Sequence, residues 1–389
     1  MDKKENLPFG LEVITFSKYI KKDIKPSIST EWTLNGVNNE FFQYVKDCYE
    51  GSSTNSAIIN AFSNYIYGMG LTCKDENINL LKYLSKRDTK LLVLDFYTYG
   101  AFALQVIWNS SEDIENKKPL KLKYIPIYKL GVSLDKQTNE VNGYWYSFDW
   151  EDKSRYKPKF FNLFDGDYKY DSDKEIGQDV EIAVVQRVSS DPFFANPSYM
   201  AGLQWAEIEM ELSNSSISHI KNGFQVGKVI NVPFVPATEE LKQEYIRKMN
   251  NKFEGSSNTN SNIYAFNKNP DNKVTVESME VTELNQQYSY YGEEAEKKLI
   301  IAHSAPPILF SGSRDGGGLG NNSEEMETAL SMLYRKQINP IREDILDGLE
   351  DILGWFSNGM ELEFKDFIKF DKEDEDDVPV EEVKEENKL

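Results

Sequence analysis

A chain of 389 residues is long for one hydrophobic core and sets an expectation of roughly two or three domains. Its 40% hydrophobic and 28% charged residues describe a folded globular protein rather than a disordered one, and no stretch has the length of a membrane span. The net charge of −20 speaks against a surface that grips nucleic acid, because phosphate binding needs lysine and arginine to displace counterions.

The start, "MDKKENLPFG", lacks the apolar core of a secretory signal, so the chain is expected to be made and kept inside a cell. Cys48 and Cys73 suit a reduced compartment and are read as packing residues. Residues 56–71 predict a helix closed by Gly68 or Gly70, and "INLLKYLSKRDTKLLVLDFYTYG" one or two more ending at Gly100. Strands follow. Phe102, Leu104, Val106 and Trp108 share one face, as do Tyr144, Tyr146, Phe148 and Trp150, while "KLKYIPIYKLGVSLD" and "EIAVVQRV" supply further strands. The loop "FDGDYKYDSDKE" lacks the glycine that an EF-hand turn requires five places after its first aspartate, and reads as a surface loop.

In "ANPSYMAGLQWAEIEMELSNSSISHIKNG", Asn196 and Pro197 predict a helix start and Asn222-Gly223 its close. Leu203, Ala206, Met210, Ser213, Ile217 and Ile220 recur at three and four residues as one apolar stripe. The periodicity then changes. "GKVINVPFV" is a predicted strand carrying Val229 and Ile230, and a helix follows with Leu241, Tyr245, Met249 and Phe253 on one side. "NIYAFN", with Ile263, and "KVTVESMEV", with Val274 and Val276, are two more strands. A second helix over 284–302 places Tyr288, Tyr291, Ala295, Leu299 and Ala302 on one face. The glycine-rich run "HSAPPILFSGSRDGGGLGNN" comes next. Asn322 and Glu325 then have capping-box spacing for a long helix, which Pro340 is expected to bend. Residues 371–389 hold ten acidic side chains against three lysines and read as a solvated acidic tail.

No catalytic residue, metal site or cofactor site is expected. Gly312 and Gly317 have phosphate-loop spacing, but Gly318 stands where the lysine should be, and a helix precedes the run instead of a strand. With His219 and His303 as the two histidines, a histidine-based metal site or triad is hard to assemble. His303, at a predicted helix C-terminus, is read as a charge partner for the helix dipole. Carboxylates are abundant, so an enzyme with an acidic-residue metal site stays open as an alternative, as does a monomeric acidic adaptor.

The order of parts resembles the portal proteins of tailed double-stranded-DNA bacteriophages. The residues that carry the resemblance are "NPSYMAGLQWAEIEMELSNSSISHIKNGFQVGKVINVP" and "EEAEKKLIIAHSAPPILFSGSRDGGGLGNNSEEMETALSMLYRKQINPIREDILDGLEDIL". In the second, an Ile-Ala helix end, a Pro-Pro step, a glycine-rich loop, an Asn-x-Glu helix start and a late "INPI" come in family order. With the weaker strand passage after Gly100, these cover most of 100–353.

The resemblance implies an α+β portal fold: a mixed α/β wing (1–198), two stem helices (199–222 and 282–303), and a small α/β clip inserted between them (223–281). A tunnel loop (304–322) and a long wing helix with a reduced crown (323–370) follow. It implies a homo-oligomeric ring, usually of twelve subunits, at one capsid vertex, assembled in the host cytoplasm. Its implied partners are the large terminase, a head–tail connector, the major capsid and scaffolding proteins, and double-stranded DNA held weakly in the channel; no membrane is involved. Stem packing would use Leu203, Ala206, Met210, Ile217, Ile220, Tyr288, Tyr291, Ala295 and Leu299. The DNA-facing loop would comprise Pro306, Pro307, Ser311, Ser313, Arg314, Asp315, Gly316, Gly317, Gly318, Leu319, Gly320 and Asn321. An acidic wall with few basic rings suits DNA that must slide, and Arg314 is the only basic residue between His303 and Arg335.

Overall fold

Serine hydroxyls start two helices of the N-terminal half, and glycines end them. The computed structural model describes residues 32–111, 116–168, 170–171, 176–177, 179–189, 191–221, 228–232, 235–253, 263–266, 275–278, 284–310, 323–357 and 359–367. After α1 (Glu40–Gly51), the side chain of Ser52 accepts from Asn55 N and opens α2 (Ser53–Tyr67). Gly68, at φ +55°, closes α2 ahead of β1 (Gly70–Cys73). Ser85 caps α3 (Lys86–Tyr99) in the same way, and Gly100 ends it in the left-handed region at φ +81°. Glycine is required there twice over, because a Cβ would also stand 2.6 Å from the Asn196 carbonyl oxygen.

Gly100 turns the chain directly into β2 (Ala101–Trp108), which runs antiparallel between β3 (Pro119–Ile125) and β9 (Val180–Gln186). Phe102, Leu104, Val106 and Trp108 are all buried, as their alternation predicts. A second antiparallel sheet has the order β4 (Leu130–Leu134), β5 (Val141–Tyr146), β6 (Lys159–Asn162). The aromatic alternation through Phe148 and Trp150 overran its strand. The Ser147 hydroxyl donates to Asp149 O and breaks the extended run, so β5 stops at Tyr146 and Phe148 is exposed. Trp150 is buried from the loop, its indole N–H donating to Lys129 O. A short hairpin, β7 (Tyr170–Asp171) with β8 (Ile176–Gly177), comes before β9.

The next helix, α4 (Leu203–Lys221), begins later than Asn196-Pro197 predicts. The Asp191 carboxylate accepts from Phe193 N and Phe194 N, and a single 3₁₀ turn, Met200–Gly202, leads into α4. The inserted unit then contains β10 (Lys228–Val232), α5 (Glu239–Phe253), β11 (Ile263–Phe266) and β12 (Thr275–Ser278). Here β10 is central, parallel to β11 and antiparallel to β12. The chain returns through α6 (Leu284–Ala302) and the one-turn α7 (Pro307–Phe310).

After α8 (Ser323–Leu333), a π-helical stretch, Tyr334–Ile338, precedes α9 (Asn339–Leu353). Pro340, in the first turn of α9, has no N–H to donate and its ring crowds the carbonyl of Lys336, so the helix widens ahead of it. Finally β13 (Leu362–Lys365) pairs antiparallel with β1, Gly70 opposite Lys365. Arg342 of α9 locks this closure. It is buried, donates to the carbonyls of Tyr65 and Ile66 at 2.9 Å each, pairs with Asp366, and lies over the rings of Tyr334 and Phe364. One core thus runs from α1 to β13, with the two cysteines free: Cys48 is buried within it and Cys73 is half-buried.

Candidate functional site

The helix pair α4 and α6 is joined to the body at the first four residues around the start of α2. Glu209 of α4 places its carboxylate over that helix N-terminus. It accepts from Ser53 Oγ (2.6 Å), Thr54 Oγ1 (3.0 Å), Thr54 N (3.2 Å) and the Ser52 hydroxyl. An acid at this position satisfies backbone N–H groups that have no partner within the helix and meets the positive end of its dipole. Two residues earlier on α4, Glu207 accepts from the Tyr44 hydroxyl of α1 at 2.9 Å.

The far end of α6 is held by His303. Its Nδ1 lies 3.0 Å from the Tyr97 hydroxyl and its Nε2 2.9 Å from Asn55 Oδ1. The Asn55 amide group donates to Cys48 O, so its oxygen is the acceptor for Nε2–H, and Nδ1 in turn accepts from Tyr97. The imidazole stacks on Tyr199 with centroids 4.2 Å apart, and burial drives its pKa down to about 3. His303 is therefore a neutral buried joint, which corrects the dipole-partner reading: a charged ring could not give Tyr97 an acceptor. Ser52, Ser53, Thr54 and Asn55 together bind both helices of the pair, the first three to Glu209 and the fourth to His303.

Close packing at the base brings Gly202 against Ala302, where a Cβ on Gly202 would lie 2.7 Å from that of Ala302. The predicted stem residues divide by height. Leu203, Ala206, Ala295 and Leu299 are already buried inside one subunit. Met210 is half-buried against Gly51, and Tyr288 is half-buried. Ile217 and Tyr291 are exposed, and Ile220 lies in the last turn of α4.

In the inserted unit, Val229 and Ile230 of β10 face Ile263 and Tyr264 of β11 on one side, and Glu277 and Val276 of β12 on the other. On α5, Leu241 is exposed, and the Tyr245 ring meets Phe266 at 6.0 Å. Met249 and Phe253 occupy the second half of that helix; Val274 lies outside the described residues.

The predicted loop is held down for its first seven residues. Ser304 takes φ +53°, with Ser304 N bonded to Ile301 O and Ala305 N to Ile300 O. Ala305 is buried, Pro306 half-buried, and Pro307 begins α7, whose Phe310 stacks on Phe62 at 5.7 Å. Ser311, Ser313, Arg314, Asp315, Gly316, Gly317, Gly318, Leu319, Gly320, Asn321 and the predicted cap Asn322 lie outside the described residues. Among the described residues no three His, Cys, Asp or Glu side chains converge to hold a metal, and no helix is long and apolar enough to cross a membrane.

Sequence reasoning missed the joint residues Asn55, Tyr97, Glu209 and His303. The run Ser52-Ser53-Thr54-Asn55 carried a helix-start signal, but nothing local says that an acid more than a hundred residues away completes it.

No protein-family model matches the chain, and no curated protein matches it in sequence. Its fold does match solved structures. A chain in the neck of an empty gene transfer agent particle, computed with C6 symmetry, is 13% identical with a TM-score of 0.52 over 83% of each chain. A chain in the neck of the native particle, computed with C12 symmetry, is 12% identical with a TM-score of 0.50, covering 83% of this chain and 84% of that one. An HK97-family phage portal protein from Corynebacterium diphtheriae is 10% identical with a TM-score of 0.45, covering 82% of this chain and 94% of that one. The α+β fold of this chain is that of the neck chains.

Proposed function

We propose that the protein is a portal subunit: twelve copies close into a ring at one vertex of a phage capsid, and DNA is packaged and ejected through its channel. The observation that carries this reading is the fold shared over 83% of the chain with subunits of particle necks computed with C6 and C12 symmetry. The sequence resemblance of 100–353 to portal proteins supports it independently.

In this reading α4 and α6 form the stem, the β10–β12 unit the clip, and the rest of the described chain the wing. The joint at Ser52–Asn55 gives the stem a fixed seat, so that loads on the channel pass into the wing core. The segment 311–322 leaves from a point clamped by His303 and Phe310, at the base of the stem, and faces the tunnel. Arg314 there supplies one cation per subunit against a strongly acidic background, which suits weak, sliding contact with phosphates. The clip is the docking surface for the ATP-driven terminase during packaging and for the head–tail connector afterwards. The role is structural, and the protein acts in the virion.

Native mass spectrometry and electron microscopy of the purified chain test the proposal. Closed rings of twelve with a central hole are expected, without ATP hydrolysis by the ring alone. A monomer that persists across protein and salt concentrations would overturn it.

A further inference from the structure

On a chain of net charge −20, the start of α3 is basic. Lys86, Arg87 and Lys90 are all exposed, and among the described residues no carboxylate pairs with any of them. Lys86 and Arg87 are the first two residues of α3, so they meet the positive end of its dipole. Cations there disfavour the helix unless an anion lies over them.

The acids around this face have other partners. Within α3, Asp88 accepts from the Ser85 hydroxyl at 2.6 Å, and Asp95 is buried, accepting from Tyr124. The neighbouring α2 has no charged side chain. On the β3 side, where Leu122 N donates to Tyr83 O at 2.9 Å, Lys121 and Lys123 are exposed and the strand has no acid. At β13, Glu361 pairs with Lys74, Glu363 meets Thr72 Oγ1, and Asp366 pairs with Arg342. Asp75 and Glu76 follow Cys73, at the end of β1 away from Gly70.

The chain brings an anion to the same place. β13 ends at Lys365, opposite Gly70, and the Tyr67 hydroxyl is 3.4 Å from where a Cβ on Gly70 would stand. Lys90 Nζ lies over that Tyr67 ring, 5.1 Å from its centroid. The described residues end at Phe367, and the predicted acidic tail, 371–389, lies outside them. Asp371 opens a run of six acids and one lysine that reaches Asp377. The four residues from Phe367 to Asp371 span at most about 14 Å, so the run begins within reach of Lys90.

We infer that residues 371–377 lie along the Lys86–Arg87–Lys90 face of the same copy, an ionic contact that closes this face to other polyanions. Exposed ion pairs are weak singly, but a short tether gives the run an effective concentration of the order of millimolar. The contact lies within one copy and stands apart from the ring reading.

Carbodiimide cross-linking of the full chain, read by mass spectrometry, tests it. At low salt, carboxylates of 371–377 should join Lys86 and Lys90 about tenfold more often than exposed Lys297 and Lys298 of α6. Salt at about 1 M, where the screening length falls to about 3 Å, should remove that preference. Lys86→Glu/Arg87→Glu leaves Lys90 as a reporter, and its links to the tail should fall about tenfold while circular dichroism stays that of the wild type. Asp374→Asn/Glu375→Gln/Asp376→Asn changes the other partner, and the links of Asp371 and Glu373 to Lys90 should fall as well. Links spread evenly over the lysines, or unchanged at Lys90 in both variants, would overturn the contact. In material built from heavy- and light-isotope copies, links should stay within one label; heavy–light links would give the face to a neighbour's tail and overturn the same-copy assignment.

Discussion

Nε2 of His303 donates to Oδ1 of Asn55 across 2.9 Å, and this bond joins the end of α6 to the first turn of α2, 248 residues earlier in the chain. It holds in the neutral state of the ring. A second buried group, Asp95, behaves oppositely: it accepts from the Tyr124 hydroxyl at 2.8 Å and from Ile127 N at 3.3 Å, yet burial pushes its pKa up to about 7.

These two groups set opposing pH trends. His303 titrates near 3 in the fold against 6.5 when free, so protonation favours the unfolded chain. The stability it permits is complete above pH 6.5 and falls as pH drops toward 3. Asp95 titrates near 7 against 3.8, so the stability it permits is complete below 3.8 and is lost as pH rises through 7. Over about pH 4 to 6.5 the slopes cancel, each being about 1.4 kcal/mol per unit. Urea unfolding of Asp95→Asn should therefore show stability rising with pH relative to wild type, and His303→Phe should show it falling. Parallel profiles for wild type and Asp95→Asn would mean that Asp95 stays ionised.

Arg342→Ala should destabilise the subunit by about 3 kcal/mol, because it removes a buried cation and strands the Tyr65 and Ile66 carbonyls. Asp366→Asn, at a partly exposed partner, should cost about 1 kcal/mol. Denaturant midpoints at constant slope measure both. Equal losses would show that the ion pair, not the carbonyl contacts, holds β13 in place.

Two glycine substitutions should differ in sign. Gly292 sits inside α6 with nothing within 4 Å of an added Cβ, so Gly292→Ala should stabilise the isolated subunit by about 0.5–1 kcal/mol. Gly100→Ala meets a positive φ and the Asn196 carbonyl and should cost more than about 1 kcal/mol. Thermal melts of the two variants check this, and a destabilised Gly292→Ala would point to a close approach at that position.

Glu209→Gln should weaken the contact of α4 with α2 by about 1–2 kcal/mol, since the amide keeps one acceptor oxygen but loses the charge at the α2 N-terminus. Hydrogen exchange at Thr54 and Asn55 should accelerate while β2 is unchanged. Unaltered exchange at Thr54 would remove Glu209 from the joint.

If the protein is the proposed portal subunit, deleting residues 314–320 should leave ring formation intact, because the proposed stem and wing would hold the subunits, and should impair packaging or retention of DNA. Normal yields of full, infectious heads from this deletion would take the loop out of the mechanism.

The sequence by itself marked β2, the ends of α2 and α3, the helix pair and the unit inserted between them. Alternation marked β2 because a strand between two others, under α3, must be apolar where it is buried; Gly68 and Gly100 marked helix ends because positive φ tolerates little else. The periodicities of 203–220 and 284–302 gave the helix pair, and the change of period between them gave the inserted unit. What only the tertiary structure decided is where the halves of those patterns go. One apolar stripe on α4 is spent at its base on the chain's own core, Leu203 and Ala206, and left open at Ile217, because the body covers only the first turns of that helix. Nor could spacing show that His303 stays neutral or that Glu209 is a cap. A side chain's charge and role depend on the groups that surround it, and here those groups come from α2 and α3, brought close by the fold rather than by the chain.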